Sequence, residues 1–330
     1  KEFAKEFDLD GYLHHSSPSI GIELFNYQSK NADEVLMHAD VAMYQAKQHG
    51  RNTVRFFSHE MQEQIDYLAS MQADLRKALA ENKFELFYQP QVNENSKIPS
   101  CEALIRWNHP QKGFVPPTEF ISLAEESGLI IPLGEFVIEQ ACRQLASWQN
   151  NPELSFIQIA VNVSAKQFAN HLFVNHVLQT IELHNINPNL LKIELTESLV
   201  IENIDQTIDT MNRLRQAGIE FAMDDFGTGY SSLSVIKHLP LSQIKIDQSF
   251  IRELGKERTD SNKSIVKTII AMADTLNLEV IAEGVETIQQ QKILYQSGCN
   301  LYQGYLFSKP LPIADFEGLV ENLFALQSCQ

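Results

Sequence analysis

Apolar and polar positions alternate over short segments along most of the chain, and longer segments with helical spacing lie between them. From residue 84 onward this alternation predicts eight strands, at 84–89, 100–106, 156–162, 191–195, 219–224, 242–247, 279–283 and 300–305. Most are separated by helical patterns such as 133–149, where apolar side chains recur every three or four positions. Eight strands with interleaved helices over about 250 residues predict an α/β fold, a (β/α)₈ TIM-like barrel. An open, doubly wound parallel sheet is the alternative.

The residues before this region follow a different pattern. A strand is predicted within 19–25, and a helix is predicted within 34–49, which Gly50 ends. Residues 58–82 contain neither glycine nor proline and carry apolar residues at helical spacing, which predicts a helical connector rather than a flexible linker. We therefore predict a small N-terminal unit at 1–57, a helical linker at 58–72 and the barrel domain at 73–330.

The charge balance restricts the partners of this protein. The 330 residues include 26 Lys and Arg against 42 Asp and Glu, a formal net charge of −16. Such a surface repels a phosphate backbone, so duplex nucleic acid is not expected as a partner. An anionic substrate must instead be held locally, by metal ions or by a few arginines.

The sequence also predicts a cytoplasmic location. The sequence has no apolar run of about 18 residues, so no membrane span is predicted. The first residues also lack the apolar core of a secretion signal. The four cysteines have no zinc-binding spacing, so we expect free thiols in a reducing compartment. We therefore expect no membrane contact by this fragment. Because the sequence does not begin with Met, we also expect it to be part of a longer protein, whose other segments could anchor to a membrane.

Acidic and amide side chains end several of the predicted strands. In a parallel barrel, functional residues lie at the carboxyl ends of the strands, so these side chains are expected to converge at one mouth. Converging carboxylates repel one another unless cations lie between them, and an oxygen-only set without His or Cys favours Mg²⁺ or Mn²⁺ over zinc. Two such ions can clamp a phosphoryl group and activate a water molecule. For any single one of these residues, a helix cap or a plain surface position is the alternative. The set is Glu102, Asn162, Glu194, Asp224, Asp225 and Glu283.

Lys245 lies within the predicted strand 242–247, on the same face as Asp247. A lysine at this position can act as a Schiff-base nucleophile, as in aldolases, or as an ammonium that positions water or a phosphate oxygen. A structural ion pair with Asp247 is a third interpretation. Because nearby carboxylates raise the pKa of an amine, the positioning ammonium is favoured over the free amine of an aldolase.

Ordered motifs over about residues 73–325 carry a resemblance to a known family. They include Cys101–Trp107 (CEALIRW), Asn162–Ser164 (NVS), Glu194–Ser198 (ELTES), Asp224–Gly229 (DDFGTG), Lys245–Asp247 (KID), Ala282–Glu286 (AEGVE) and Gln303–Tyr305 (QGY). In this set the chain resembles the EAL-domain cyclic di-GMP phosphodiesterases. The resemblance implies a barrel whose first strand is antiparallel to the others, a homodimer formed through this domain, and hydrolysis of cyclic di-GMP to linear pGpG. Such an activity would lower the concentration of a bacterial second messenger.

The resemblance also assigns roles to individual residues. It implies two Mg²⁺ or Mn²⁺ ions, the first held by Glu102, Asn162, Glu194 and Asp224, and the second by Asp225, with Asp224 shared between them. It implies that Lys245 orients the attacking water and that Glu283 is a candidate base or water-holding ligand. Lys245, Glu283 and Glu102 are thus the candidate catalytic residues. The implied substrate-binding residues are Gln89, Leu104, Arg106, which would meet a phosphate, Asp247 and Gln303, which would also support the network of metal ligands and water. Glu197 would anchor the loop 225–232.

The N-terminal unit resembles the last third of a GGDEF (diguanylate cyclase) domain, on the segments 19–22, 39–47 and 50–52. The loop for which that family is named is not in the sequence. Two other functions stay open for the whole chain. The first is a receptor that binds cyclic di-GMP without cleaving it and signals through the linker helix, and the second is a lysine-dependent barrel enzyme such as an aldolase.

Overall fold

The computed structural model describes residues 6–14, 16–25, 31–48, 50–197, 199, 204–229, 233–255 and 260–328. The chain forms two compact units, Lys1–Lys77 and Ala78–Gln330, which divide within one long helix. In the described part of the chain, no helix is both long enough and apolar enough to span a membrane.

In its described residues, the first unit contains short strands, an amphipathic helix and most of a second, longer helix. Strands β1 (Phe7–Leu9) and β2 (Tyr12–His14) form an antiparallel hairpin, and β3 (Ile20–Ile22) pairs in parallel with β4 (Val54–Phe56). Helix α1 (Ala32–Gln48) lies against β3, where a side chain at Gly21 would overlap the backbone of α1 at Ala39. Helix α2 (His59–Ala80) follows. The predicted strand and helices are present, whereas the hairpin and β4 were not predicted.

The second unit is a closed barrel. Among the described residues eight strands form the ring β5–β13–β12–β11–β10–β9–β8–β6, which closes through the pairing of β6 with β5, and β7 extends β6 as a hairpin. Strand β5 is antiparallel to both of its neighbours, and the other ring strands are parallel to one another. This confirms the barrel with an antiparallel first strand and excludes the open sheet. The strands are β5 (Phe84–Asn93), β6 (Ser100–His109), β7 (Gly113–Val115), β8 (Gln158–Asn162), β9 (Leu191–Thr196), β10 (Glu220–Phe226), β11 (Gln243–Ile246), β12 (Glu279–Ala282) and β13 (Leu301–Gln303).

Helices surround this ring. They are α3 (Pro117–Ser127), α4 (Ile130–Trp148), α5 (Ala165–Phe168), α6 (Phe173–His184), α7 (Ile204–Gln216), α8 (Leu233–Ile236), α9 (Gln248–Arg252), α10 (Asp260–Thr275), α11 (Ile288–Gln296) and α12 (Ile313–Ser328), with a 3₁₀ turn at Pro188–Leu190. The predicted helix 133–149 corresponds to α4.

On β9 and β11 the alternation places apolar residues outside the ring and polar residues inside it. On β9, Ile193 and Leu195 are fully buried in the apolar core beneath the helices. Lys192 and Glu194 alternate with them along the strand and contact Gln243 and Lys245 of β11 across the interior. Because successive side chains of a strand point to opposite faces, one sequence pattern produces both the core and a polar interior.

The last helix holds β5 in the ring. On α12, Phe316 stacks on Trp148 of α4 at 5.8 Å between ring centroids, and Glu317 accepts a hydrogen bond of 2.8 Å from Nε1 of Trp148. Tyr88 of β5 packs on both of these rings. This aromatic cluster fixes β5, the strand that carries Gln89 and Gln91, against the rest of the barrel.

A pair of glycine substitutions tests how closely the chain packs after β13. The structure leaves no space for a Cβ at Gly304, which would overlap the backbone of Val285, whereas a Cβ at Gly318 in α12 meets nothing within 4 Å. We expect Gly304→Ala to destabilise the protein by about 2 kcal/mol or more. Gly318→Ala should stabilise it by up to about 1 kcal/mol, through helix propensity and lower entropy of the unfolded chain. Thermal unfolding followed by circular dichroism measures both, and equal melting temperatures for the two variants would contradict this packing.

Candidate functional site

The centre of the site is the ammonium of Lys245, which lies inside the barrel and is fully buried. Four carboxylates surround it. The distances from Nζ of Lys245 are 2.5 Å to Oε2 of Glu194, 2.7 Å to Oε1 of Glu283, 3.2 Å to Oδ1 of Asp224 and 3.5 Å to Oε2 of Glu102. Each comes from a different strand or from the residue that follows one, so closure of the barrel brings them together.

One positive charge among four carboxylates leaves an excess of negative charge. Burial lowers the pKa of Lys245, but the four carboxylates outweigh this and raise the pKa well above its usual value, so the side chain is an ammonium. Burial and the neighbouring carboxylates raise the pKa of Glu194 well above its usual value and that of Glu283 to about 8, against the attraction of Lys245. The site therefore favours any added positive charge.

Glu102 differs from these two because neutral donors also hold it. Asn162 donates a hydrogen bond of 2.6 Å to its Oε1, and Gln303 donates one of 2.5 Å to its Oε2. Burial raises the pKa of Glu102, but the Lys245 ammonium and these two hydrogen bonds outweigh burial and lower the pKa. Asn162 lies opposite Glu194 in the parallel pairing of β8 with β9, so it stands beside two of the carboxylates.

Asp224 and Asp225 lie where the pairing of β10 with β11 becomes irregular. Asp225 has a left-handed backbone with φ of 53°, and its N–H donates a hydrogen bond of 3.0 Å to Oδ1 of Asp224. This turn allows both carboxylates to face the mouth, although adjacent strand residues ordinarily point to opposite faces. Burial, with Asp224 and Asp247 nearby, raises the pKa of Asp225 to about 6.

These residues fit a hard divalent cation. Carboxylate oxygens of Asp224, Asp225 and Glu283 lie within 4.8 Å of one another. Oε1 of Glu194 is buried, and none of the described residues offers it a hydrogen bond. An unpaired buried carboxylate oxygen in an oxygen-only donor set, with excess negative charge, suits Mg²⁺ or Mn²⁺ rather than a metal that prefers His or Cys.

Glu197 follows β9 directly and contacts the loop that follows β10. Its Oε2 accepts hydrogen bonds from the backbone N–H groups of Gly227, at 3.3 Å, and Gly229, at 3.2 Å. The left-handed φ of 95° at Gly227 shapes this loop. Residues 230–232, the rest of the predicted loop, lie outside the described residues.

A cavity of about 290 Å³ opens above the carboxylates. Of the predicted site residues, its walls include Gln89, Glu102, Leu104, Asp224, Glu283 and Gln303. Lys245 and Glu194 are buried and Asn162 is exposed, and these three residues do not line the cavity. The cavity is therefore a space beside the charged cluster in which a ligand could meet its oxygens.

Two predicted substrate-binding residues do not line this cavity. The guanidinium of Arg106 donates a hydrogen bond of 2.9 Å to the carbonyl of Ile105 and lies 5.7 Å from the centre of the Phe87 ring. Asp247 is buried and caps α9, because its Oδ1 accepts a hydrogen bond of 3.0 Å from the N–H of Ser249. The structure thus shows a capping contact for Asp247 rather than the ion pair with Lys245 that the sequence left open.

The cavity also has walls that the sequence did not predict. They come from α9, with Gln248 and Arg252, and from the segments after β12 and β13, with Glu286 and Tyr305. Arg252 donates a hydrogen bond of 3.0 Å to Gln248, one turn earlier on α9. A signal was present, since α9 starts directly after Asp247 at the mouth of the barrel, and its first turns therefore face the site.

A second cavity, of about 690 Å³, lies at the other end of the barrel, by the first residues of β12 and β13. Its charged walls are Glu94, Lys267, Asp274 and Glu279. None of the predicted site residues lines it, so its larger volume does not make it the candidate site.

The family of the chain is shown by comparison with known proteins. Residues 72–310 match the EAL domain family, and residues 1–53 match the family of the diguanylate cyclase, GGDEF domain. A solved structure of the PaMucR phosphodiesterase in complex with c-di-GMP aligns with a TM-score of 0.72 and 42% identity, covering 75% of this chain and 99% of that chain.

Curated relatives agree with this assignment. The chain is 40% identical over 313 residues to the bifunctional diguanylate cyclase/cyclic di-GMP phosphodiesterase MucR of Pseudomonas aeruginosa, covering 94% of this chain and 45% of that protein. It is 40% identical over 303 residues to the cyclic di-GMP phosphodiesterase PdeR of Escherichia coli, covering 92% of this chain and 45% of that protein. The chain thus spans about half the length of these relatives. With its barrel, its cluster of carboxylates and the match over residues 72–310, the chain belongs to the EAL domain family.

Proposed function

We propose that this chain is a metal-dependent phosphodiesterase that hydrolyses one phosphodiester of cyclic di-GMP and releases linear pGpG. The observation that carries the proposal is the ring of four carboxylates around Lys245 beside an open cavity. The relatives named as cyclic di-GMP phosphodiesterases and the solved complex with c-di-GMP support this choice of substrate.

Two Mg²⁺ or Mn²⁺ ions are proposed for the carboxylate cluster. Glu102, Asn162, Glu194 and Asp224 would hold one, and Asp225 and Glu283, with Asp224 shared, would hold the other. Asn162 would offer its amide oxygen, since the amide nitrogen already donates to Glu102. When bound, such ions polarise a phosphoryl oxygen and neutralise the charge that develops on it.

Lys245 and Glu283 are the proposed groups for handling water. The buried ammonium donates only, so it can hold the oxygen of an attacking water while it keeps the carboxylates together. Glu283 contacts Lys245 at 2.7 Å and also lines the cavity. Bound metal ions would lower its raised pKa, and the ionised carboxylate could then accept a proton from this water. Glu102 is proposed as catalytic because its two oxygens are oriented by Asn162 and Gln303.

Binding of the substrate is proposed for the rim of the cavity. Gln89, Leu104 and Gln303 line it and can contact the dinucleotide. Arg106, half-buried on β6, and Arg252, on the cavity wall, can pair with its two phosphates. Asp247 is proposed to contribute to binding of the dinucleotide, from its buried position at the start of α9.

Three further predictions concern the organisation of the protein. We propose domain boundaries that give three segments, 1–57, 58–72 and 73–330. The compact units of the structure divide between Lys77 and Ala78. A homodimer formed through the EAL domain is proposed from the family resemblance. A cytoplasmic site of action is proposed because the described cysteines Cys101, Cys142 and Cys299 are free thiols, as expected in a reducing compartment.

Incubation of the protein with cyclic di-GMP and Mg²⁺, followed by chromatography of the products, tests the function. The expected product is pGpG. Binding without any product would favour the receptor. Substrate-dependent inactivation by borohydride, without effect of a chelator, would favour the lysine-dependent enzyme.

The oxygen-only ligand set predicts a strict need for metal. Exhaustive dialysis against EDTA should abolish the formation of pGpG, and Mg²⁺ or Mn²⁺ should restore it. Ca²⁺ should support little activity, because its larger and more flexible coordination shell holds the reacting groups less closely. The rate of pGpG formation in a titration with each metal measures this, and full activity after chelation would exclude the proposed mechanism.

Three carboxylate substitutions test the proposed catalytic set. Glu102→Ala, Asp224→Asn and Glu283→Gln should each lower turnover at least about a hundredfold, a change of roughly 2.7 kcal/mol in the barrier. Asp224→Asn should be the most severe if Asp224 serves both ions. Glu139→Gln, on α4 and with a partly exposed side chain, is the control and should keep the wild-type rate. Melting curves separate lost chemistry from lost folding, and a folded variant with more than about a tenth of the wild-type rate removes its residue from the set.

Glu197 is proposed to act through the loop at 225–232. Glu197→Ala should lower turnover and raise the Mg²⁺ concentration needed for half-maximal rate, because loss of its hydrogen bonds to Gly227 and Gly229 frees the residues next to Asp225. Glu197→Gln keeps an acceptor oxygen and should lose less. The measurement is turnover across a Mg²⁺ titration, and superimposable curves for wild type and Glu197→Ala would show that Glu197 has no part in the site.

A further inference from the structure

Beneath the carboxylates, two polar residues with no role in the proposed mechanism are buried inside the barrel. Gln91 on β5 has 0% of its surface exposed and Ser100 on β6 has 4%. The pairing of the strands puts Gln91 directly opposite Gln303 on one side and directly opposite Ser100 on the other. In the same antiparallel pair, Gln89, two residues before Gln91, lies opposite Glu102, two residues after Ser100. Gln91 and Ser100 thus form a layer just below the mouth of the site.

Hydrogen bonds connect the two layers in one direction. Oγ of Ser100 donates to Oε1 of Gln91 at 2.6 Å, and Nε2 of Gln91 donates to Oε1 of Gln303 at 3.0 Å. Nε2 of Gln303 then donates to Oε2 of Glu102 at 2.5 Å and to Oε1 of Gln89 at 3.1 Å. Both N–H groups of Gln303 are therefore used, one on a proposed metal ligand and one on a proposed substrate-binding residue.

An amide side chain has a donor end and an acceptor end, so its orientation decides what its neighbours meet. If the amide of Gln303 turned over, its oxygen would face the carboxylate of Glu102 and the oxygen of Gln89. The N–H of Gln91 on Oε1 of Gln303 holds the favourable orientation, and the hydroxyl of Ser100 satisfies the buried oxygen of Gln91. Without either residue, a buried polar atom would lose its partner, which is costly in the interior of a protein.

We propose that Gln91 and Ser100 are positioning residues, which act through Gln303 to hold Glu102 for metal binding and Gln89 for substrate binding at the same time. The proposal rests on the proposed function for the identity of the substrate. It adds that the affinities for metal and for cyclic di-GMP depend on one shared amide, so damage to this layer should weaken both together.

Direct Mn²⁺ binding and steady-state kinetics test the proposal on the whole chain. Gln91→Leu removes the donor at similar size, and Gln243→Leu is the matched control. Gln243 is also a fully buried barrel glutamine, but it contacts Lys192 and Glu279 and makes no hydrogen bond to Gln303 or Glu102 in the described structure. Calorimetry measures the Mn²⁺ affinity without substrate, and initial rates give KM and kcat at saturating metal.

For Gln91→Leu we expect Mn²⁺ affinity to fall about tenfold and KM to rise by a similar factor, the effect of a lost buried hydrogen bond. Its kcat at saturating metal and substrate should stay within a few-fold of wild type, and Gln243→Leu should change neither affinity nor KM. Unchanged Mn²⁺ affinity in Gln91→Leu, or an equal loss in Gln243→Leu, would overturn the proposal.

Ser100 provides a milder test if Gln91→Leu does not fold. Ser100→Ala should weaken Mn²⁺ binding by a few-fold. Ser100→Thr, which keeps the hydroxyl, should bind Mn²⁺ with an affinity close to that of the wild type. Equal Mn²⁺ affinities for wild type and Ser100→Ala would count against the proposal. If wild type forms no pGpG, the proposed function fails while the Mn²⁺ comparison still decides this point. If wild type binds no Mn²⁺, both fail.

Discussion

The burial of one ammonium among four carboxylates is the constraint on which the site depends. Burying the charge of Lys245 is unfavourable unless carboxylates surround it, and the buried carboxylate of Glu194 is equally unfavourable without Lys245. The numbers do not balance, since one ammonium faces four carboxyl groups, and two of these have pKa values raised by burial and by the other carboxylates. Asn162 and Gln303 supply neutral donors to Glu102 and relieve part of this excess. The excess negative charge that remains explains why the barrel mouth should hold cations. Because the neutral donors relieve part of it, their positions matter as much as those of the carboxylates.

The same strands build the apolar core and the charged interior, so fold and site cannot be separated. On β9 and β11 the outward residues are aliphatic and the inward ones are charged or amides, as in the sequence LKIELT. The helices pack on the aliphatic face of these strands. This packing fixes the strand register and therefore the positions of the polar side chains on the opposite face. The antiparallel β5 has a special place because it enters the ring in the other direction. Its inward residues Gln89 and Gln91 therefore stand between Glu102 on β6 and Gln303 on β13.

Much of the barrel could be predicted from alternation, because each long strand has one apolar face. The three-residue strands β1, β2, β4 and β7 were missed. The equally short β3 and β13 were predicted because the alternation there continues beyond the strand, over 19–25 and 300–305. Alternation also carries no direction, so the antiparallel β5 followed only from the family resemblance. In the site, strand ends revealed the carboxylates. Arg252 and Glu286 lie on segments after the strands, where no period marks them. The positioning role of Gln91 and Ser100 could not be predicted, because it depends on the strand register that places them beneath Gln303.

The charge of the protein adds a last constraint on how a dinucleotide can bind. The chain has a net charge of −16, and the cation nearest the centre, Lys245, is already shared among four carboxylates. It cannot also neutralise a substrate phosphate. The dianionic substrate that we propose would therefore meet positive charge from bound metal ions and from arginines at the rim, such as Arg252. Because metal ions would reduce the repulsion between carboxylates and phosphate, binding of metal and of substrate should reinforce each other. Gln303, which donates to both Glu102 and Gln89, is the side chain through which the protein itself can couple the two.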